Sequence, residues 1–143
     1  MKAKHRGMKA GMVSRVAVAM VILMGCITGS YAQVKSVNIH AHRGGAHEYD
    51  ENTLYALSQT YAQGIRGFEI DIRRTKDGEL VLFHDASLER MVGAEGPIED
   101  LTLSEIKALR TKAGNEIPTL DEVLHFFKDK EGVYLEFEMK TNN

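Results

Sequence analysis

Three stretches of this chain alternate apolar and polar side chains with a period of two, and the polar positions carry histidine, carboxylate and lysine. In Val37 to His42, Val37, Ile39 and Ala41 fall on one face and Asn38, His40 and His42 on the other. In Phe68 to Arg73, Phe68, Ile70 and Ile72 oppose Glu69, Asp71 and Arg73; in Val133 to Lys140, Val133, Leu135, Phe137 and Met139 oppose Tyr134, Glu136, Glu138 and Lys140. Successive side chains of a strand point to opposite faces. Each segment therefore reads as a strand with one apolar and one polar face.

An antiparallel sheet with its polar face in water would satisfy this alternation. The intervening segments argue for a different arrangement. Asn52 or Thr53 can cap a helix carrying Leu54, Leu57 and Tyr61, with Gly64 ending it. Thr102-Leu103-Ser104-Glu105 fits a capping box flanked by a Leu101–Ile106 hydrophobic staple, and Thr119-Leu120-Asp121-Glu122 fits a second box behind Pro118. Strands alternating with amphipathic helices form βαβ units and a parallel sheet. Because parallel sheets are covered on both faces, a polar strand face must line a site or a barrel lumen. The fold class expected is α/β.

Lys76-Asp77-Gly78-Glu79 places Asp-Gly between two β-rich runs, a strong hairpin signal. With Asp77 and Gly78 as a two-residue turn, Arg73 would face Leu82 and Asp71 would face His84. Opposed residues have Cβ atoms about 4.5–5.5 Å apart, so His84 is expected level with the Glu69 and Asp71 carboxylates.

Those carboxylates, two apart on one strand face, sit about 7 Å apart along the strand and repel unless compensated. A hard divalent cation such as Mg²⁺ or Ca²⁺ would do this, with Glu138 completing the oxygen ligands from another strand. Pairing with Arg66, Arg73 or Arg74 on a solvated charged face is the competing explanation. Histidine titrates nearest neutral pH, so His42 and His84 are candidates for the proton transfers of phosphodiester hydrolysis. Arg43 and Lys140 can neutralise phosphate oxygens. His40, His47 and His125 are expected to be structural.

Taken in order, His42-Arg43-Gly44, Glu51-Asn52-Thr53, Glu69-Ile70-Asp71, Thr75-Lys76-Asp77-Gly78, His84-Asp85 and Glu138-Met139-Lys140 resemble the motif series of the glycerophosphodiester phosphodiesterases. Ile117-Pro118-Thr119-Leu120 is similar to that family's approach to a helix. The resemblance covers residues from about 39 onward, with Asp50 standing where the family usually has proline. It implies a TIM-type (β/α) barrel, with one divalent cation, Mg²⁺ or Ca²⁺, held by Glu69, Asp71 and Glu138. It further implies acid/base work by His42 and His84, and phosphate contacts from Arg43 and Lys140. The implied reaction hydrolyses a small-molecule glycerophosphodiester to glycerol 3-phosphate and an alcohol. A phospholipase D-like lipid phosphodiesterase and a non-catalytic metal- or phosphate-binding half-barrel are the alternatives. The former would want an apolar membrane-facing loop, for which only Met91-Val92-Gly93-Ala94 offers material.

A TIM barrel takes about 250 residues, whereas this chain has 143. The expectation is the N-terminal half of a barrel, with the Asp-Gly hairpin above the barrel strands, in a C-terminally incomplete domain over residues 33–143. Residues 1–32 read as a signal peptide: Lys2, Lys4, Arg6, Lys9 and Arg15 form a basic start, Val16 to Ile27 an apolar core, and Ser30-Tyr31-Ala32 a small-residue cleavage site. That core is short of the roughly 20 residues a spanning helix needs. A secreted or periplasmic product without a membrane span follows. Cleavage before Cys26 would instead give a lipoprotein with a lipid anchor on that cysteine, the only one in the chain. Removing residues 1–32 leaves 13 basic against 20 acidic side chains. Such a balance speaks against nucleic acid as a partner and makes local positive charge at Arg43 and Lys140 more necessary for an anionic substrate.

Overall fold

The computed structural model describes residues 38–141; the expected signal segment and Cys26 lie outside the described residues. Strand β1 (His40–Ala41) runs into a 3-10 turn at His42–Gly44, followed by α1 (Leu54–Ala62) and β2 (Gly67–Arg74). The chain continues through β3 (Leu80–Leu82), a second 3-10 turn at Ile98–Asp100, α2 (Leu103–Ala108), α3 (Leu120–Phe127) and β4 (Tyr134–Met139). The three helices begin where their caps foretell. Thr53 accepts from the Ala56 amide, and Thr102 with Glu105 and Thr119 with Glu122 form complete capping boxes. Each reciprocal pair satisfies two amides that have no partner inside the helix.

β2 is the centre of the sheet. It pairs in parallel with β1 through His40↔Gly67 and Ala41↔Phe68, and in parallel with β4 from Gly67↔Tyr134 to Ile72↔Met139. It pairs antiparallel with β3 through Ile72↔Leu82, Arg73↔Val81 and Arg74↔Leu80. This is the α/β arrangement expected, the N-terminal half of a TIM-type barrel with a hairpin extending its second strand. The polar face of β2 is not a solvated one, since Asp71 is 0% and Arg73 6% exposed.

Two apolar clusters hold the elements in place. Leu57 of α1 and Val123 and Phe127 of α3 pack on Phe68, Ile70 and Ile72 of β2, with Leu82 joining them. Val81, Phe83, Leu88, Ile98, Ile106 and Ile117 form the second cluster. Alternation in β3 thus sends Leu82 to one cluster and Val81 to the other. Met91, Val92 and Ala94 pack against the second cluster, so the one candidate for a membrane-facing loop is engaged inside the fold.

Two expectations need correction. The hairpin register is displaced by one residue, because Lys76, Asp77 and Gly78 all belong to the turn, with Gly78 at φ +95°. Thr75 and Glu79 close it, and the Thr75 hydroxyl accepts from the Glu79 amide (2.9 Å) and donates to Asp77 Oδ1 (2.5 Å). The Asp77 carboxylate in turn accepts from the Leu103 amide at the start of α2 (3.0 Å). Recruiting Asp77 as a cap for a distant helix favours the three-residue turn ending in a left-handed glycine. The first strand is also shorter than its alternation suggests: His42 already belongs to a turn, and Ile39 is 61% exposed.

Candidate active site

The turn after β1 is built from backbone that ordinary residues avoid. Arg43, Gly44 and Gly45 have φ of 51°, 75° and 124°. A Cβ on Gly44 would lie 2.9 Å from Leu57 Cδ2, and one on Gly45 would lie 2.5 Å from Thr60 Oγ1. Only glycine permits α1 to approach this closely. The turn aims the Arg43 amide at Glu69 Oε2 (2.8 Å).

Asn52, at φ 55°, is the other non-glycine residue with positive φ among those described. Its side-chain amide donates to Asp71 Oδ2 (2.8 Å) and its Oδ1 accepts from the Asp71 amide (3.1 Å). Both strained residues therefore hold the acidic pair, in keeping with the concentration of such backbone at functional sites.

Parallel pairing sets Asp71 beside Glu138 and Glu69 beside Glu136. One carboxylate oxygen from each of Glu69, Asp71 and Glu138 lies within 4.8 Å of the others. Glu69 Oε1 is buried without a hydrogen-bond partner among the described residues. An orphaned buried carboxylate oxygen beside two more oxygen donors fits a hard divalent cation, Mg²⁺ or Ca²⁺.

The nearby cations are Arg43, with Nε 3.6 Å from Asp71 Oδ2, and Lys140, with Nζ 3.1 Å from Asp71 Oδ1 and a further bond to Glu138. Burial alone would lower the Lys140 pKa, but the bonds to Glu138 and Asp71 outweigh it and hold the ammonium above its ordinary value. The competing arginines are engaged elsewhere or exposed. Arg66 donates to the carbonyls of Tyr61 and Ile65, Arg73 to the His84 carbonyl and Glu99, and Arg74 faces solvent.

His42 is open to solvent, with Nε2 4.0 Å from Glu69 Oε2. His84 does not sit opposite Asp71 on a ladder. β3 ends at Leu82, the Phe83 amide donates to the Asp71 carbonyl (3.1 Å), and Arg73 clamps the His84 carbonyl with Nε (3.0 Å) and Nη2 (2.9 Å). Its Nδ1 lies 2.7 Å from Asp85 Oδ1. The hydrogen bond from Arg90, ahead of that from His84, holds the Asp85 carboxyl down at about 2. An ionised Asp85 is an acceptor only, so a neutral His84 ring facing it would carry its proton on Nδ1 and leave Nε2 free of it.

Sequence reasoning missed the supports of the site. Glu51 accepts from Arg43 Nη1 (3.2 Å) and from Arg90 Nη2 (2.6 Å); against the cost of burial, these two arginines hold its carboxyl below the ordinary range. Asn52 is a positioning side chain, and Thr53 is the helix cap. No periodicity marks Arg90, which lies in an irregular segment. Asp50, in the place of the family proline, accepts from Thr111 Oγ1 (2.5 Å) and Asn115 Nδ2 (2.8 Å), so it fastens this turn to the 111–115 loop.

Three carboxylates and two flanking cations thus converge on the polar face of parallel strands of a half-barrel, an arrangement that could hold a cation and a phosphate. Comparison with known proteins agrees. Residues 42–143 match the glycerophosphoryl diester phosphodiesterase family, and the chain belongs to that family. It is 41% identical over 98 residues to the glycerophosphodiester phosphodiesterase of Caldanaerobacter subterraneus subsp. tengcongensis, covering 64% of this chain and 40% of that protein. It is 35% identical over 131 residues to human glycerophosphodiester phosphodiesterase 1, covering 72% and 40%. Among solved structures, the Thermotoga maritima glycerophosphodiester phosphodiesterase superposes with a TM-score of 0.65 at 37% identity, over 75% of this chain and 45% of that one. An Oleispira antarctica phosphodiesterase in complex with the product sn-glycerol-3-phosphate superposes with a TM-score of 0.67 at 34% identity, over 73% and 44%. The chain thus spans less than half the length of these relatives.

Proposed function

We propose that this chain provides the metal- and phosphate-binding side of a glycerophosphodiester hydrolase that releases glycerol 3-phosphate and an alcohol. The observation that carries the reading is the convergence of Glu69, Asp71 and Glu138 between Arg43 and Lys140, with His42 alongside. The sn-glycerol-3-phosphate bound by the Oleispira relative supports the substrate class. Glu69, Asp71 and Glu138 would hold Mg²⁺ or Ca²⁺, which supplies Lewis-acid polarisation of a phosphoryl oxygen when bound.

Arg43 and Lys140 neutralise the phosphate, and both are already anchored by the acids they flank. His42 and His84 exchange protons with the attacking and departing oxygens, His84 through Nε2. The test is glycerol 3-phosphate release from glycerophosphocholine by the full chain, with Mg²⁺ or Ca²⁺ and with chelator. Release that chelator abolishes and Glu69→Ala removes supports the reading; cation binding without release overturns hydrolysis by this chain and favours a metal-binding half-barrel. Separate pH–rate profiles of His42→Ala and His84→Ala test the proton transfers, and unchanged turnover in either removes that residue from the chemistry.

Residues 1–32 support export. Mass spectrometry of the secreted product would show a start at Gln33 for a soluble form, or a lipidated Cys26 for an anchored one; a retained Met1 overturns both. Among the described residues no helix is long and apolar enough to cross a membrane.

A further inference from the structure

We infer that Arg90 is a positioning residue that couples the two sides of the site, fixing the His84 ring through Asp85 and the Arg43 guanidinium through Glu51. The inference rests on the phosphodiester reading of His84 and Arg43. Arg90 meets two carboxylates along two edges of one planar fork. Nη2 and Nη1 donate to Glu51 Oε1 (2.6 Å) and Oε2 (3.0 Å), while Nε and Nη2 donate to Asp85 Oδ2 (2.5 Å) and Oδ1 (3.0 Å). Glu51 lies 39 residues before Arg90 in sequence, so the fork joins the turn ahead of α1 to the loop after β3.

Each carboxylate then acts on a different functional group. Asp85 Oδ1 faces His84 Nδ1 at 2.7 Å, and both Glu51 oxygens accept from Arg43 Nη1, at 3.2 and 3.3 Å. Arg43 is in turn the residue whose amide meets Glu69 and whose Nε faces Asp71. A continuous polar path therefore runs from the His84 ring to the acidic pair, and Arg90 is its middle link. Glu51, Asn52 and Met91 line one cleft with His84, and Arg73 holds the His84 carbonyl.

An isolated exposed ion pair holds little in place. Arg90 is only about half exposed, and it makes a double bidentate contact for which a planar guanidinium is suited and a lysine ammonium is not. Groups that orient a ligand or a catalytic side chain without touching substrate commonly affect activity by about 10–100-fold when removed.

The experiment compares the full chain with Arg90→Met and Arg90→Lys by ¹⁵N NMR of the His84 ring without substrate, and by pH–rate profiles with Mg²⁺. The unmodified chain is expected to carry the His84 proton on Nδ1. In Arg90→Met, Asp85 loses the contacts that hold it against the His84 ring, so the Nδ1–H preference should weaken. Its kcat should fall about 10–100-fold, and KM should rise as Arg43 loosens. Arg90→Lys should restore the charge without the double contact and fall between the two. A His84 ring unchanged in tautomer in Arg90→Met overturns the inference, even if turnover drops. Should Arg90→Met fail to fold, an unchanged His84 ring in Arg90→Lys overturns it equally. Absence of turnover in the unmodified chain counts against hydrolysis alone, since the ring measurement still decides the role of Arg90.

Discussion

β2 and β4 are neighbours along six paired residues and share one alternation of apolar and acidic side chains, yet they live in different surroundings. Phe68, Ile70 and Ile72 are wholly buried, whereas their row partners on β4 include Phe137 and Met139, 43% and 59% exposed. The carboxylates differ in the same way, Asp71 being 0% exposed while the Glu138 side chain is 56% exposed. The difference comes from neighbours. β2 has strands beside it and α1 and α3 beneath, whereas among the described residues β4 pairs with β2 alone. Identical patterning thus yields a pre-formed, desolvated half of the acidic site on the closed side and a solvent-facing half on the open side.

The largest expected effect separates the two acids. Asp71→Ala strands Arg43, Lys140 and the Asn52 amide next to a void, and breaking a buried charge cluster this way costs about 3–5 kcal/mol. Glu138→Ala removes a largely solvated group and should cost less than about 1 kcal/mol. Urea denaturation of both variants measures the contrast, and isothermal titration with Mg²⁺ or Ca²⁺ should show lost affinity in each. Equal stability losses would mean that Glu138 is as enclosed as its partner.

The apolar rows should repeat the pattern at smaller scale. Ile70→Ala opens a cavity between β2, α1 and α3 and is expected to cost about 3 kcal/mol. Phe137, its register partner, should cost about 1 kcal/mol on truncation, because much of the ring already contacts water. A comparable cost at both positions would show the open side to be covered.

Acid titration sharpens the comparison on the closed side, where the Arg90 network braces the loop after β3. Asp85 ionises at about 2 in the folded chain against an ordinary 3.8. A carboxyl depressed on folding adds stability that is fully present above pH 3.8 and is lost as pH falls through about 2. That stabilisation is roughly 1–2 kcal/mol once solvent screening is allowed for. Thermal unfolding between pH 5 and pH 2 should therefore fall more steeply in the unmodified chain than in Asp85→Asn. Parallel curves would show that Asp85 contributes no such linkage.

The sequence made the strands, helices and acidic trio legible because period-two alternation and capping boxes are local signals: Thr102–Glu105 and Thr119–Glu122 announce their helices within four residues. What escaped depends on distant partners. The hairpin register turned on Asp77 reaching the Leu103 amide, 26 residues away. Asn52 reached Asp71 because Thr53 took the cap, and Arg90 joined Glu51 across 39 residues. At Asp50, where the family usually has proline, both partners come from the 111–115 loop, which the local turn does not reveal.

The smallest expected effect is the sharpest test of the open side. Met139 pairs with Ile72 in the ladder but is 59% exposed, so Met139→Gln should change stability by no more than about 0.5 kcal/mol. Burying a thioether of that size completely would make the same change cost upward of about 1.5 kcal/mol. Two sources of burial can then be told apart by repeating the measurement across a hundredfold range of protein concentration. A cost that grows with concentration identifies a second copy covering β4, because stability from association follows mass action. A cost that is large at every concentration places the cover within the chain itself. A negligible cost throughout leaves β4 facing water, and Glu138 and Lys140 then meet any cation or phosphate from solvent while Glu69 and Asp71 meet it from the closed side.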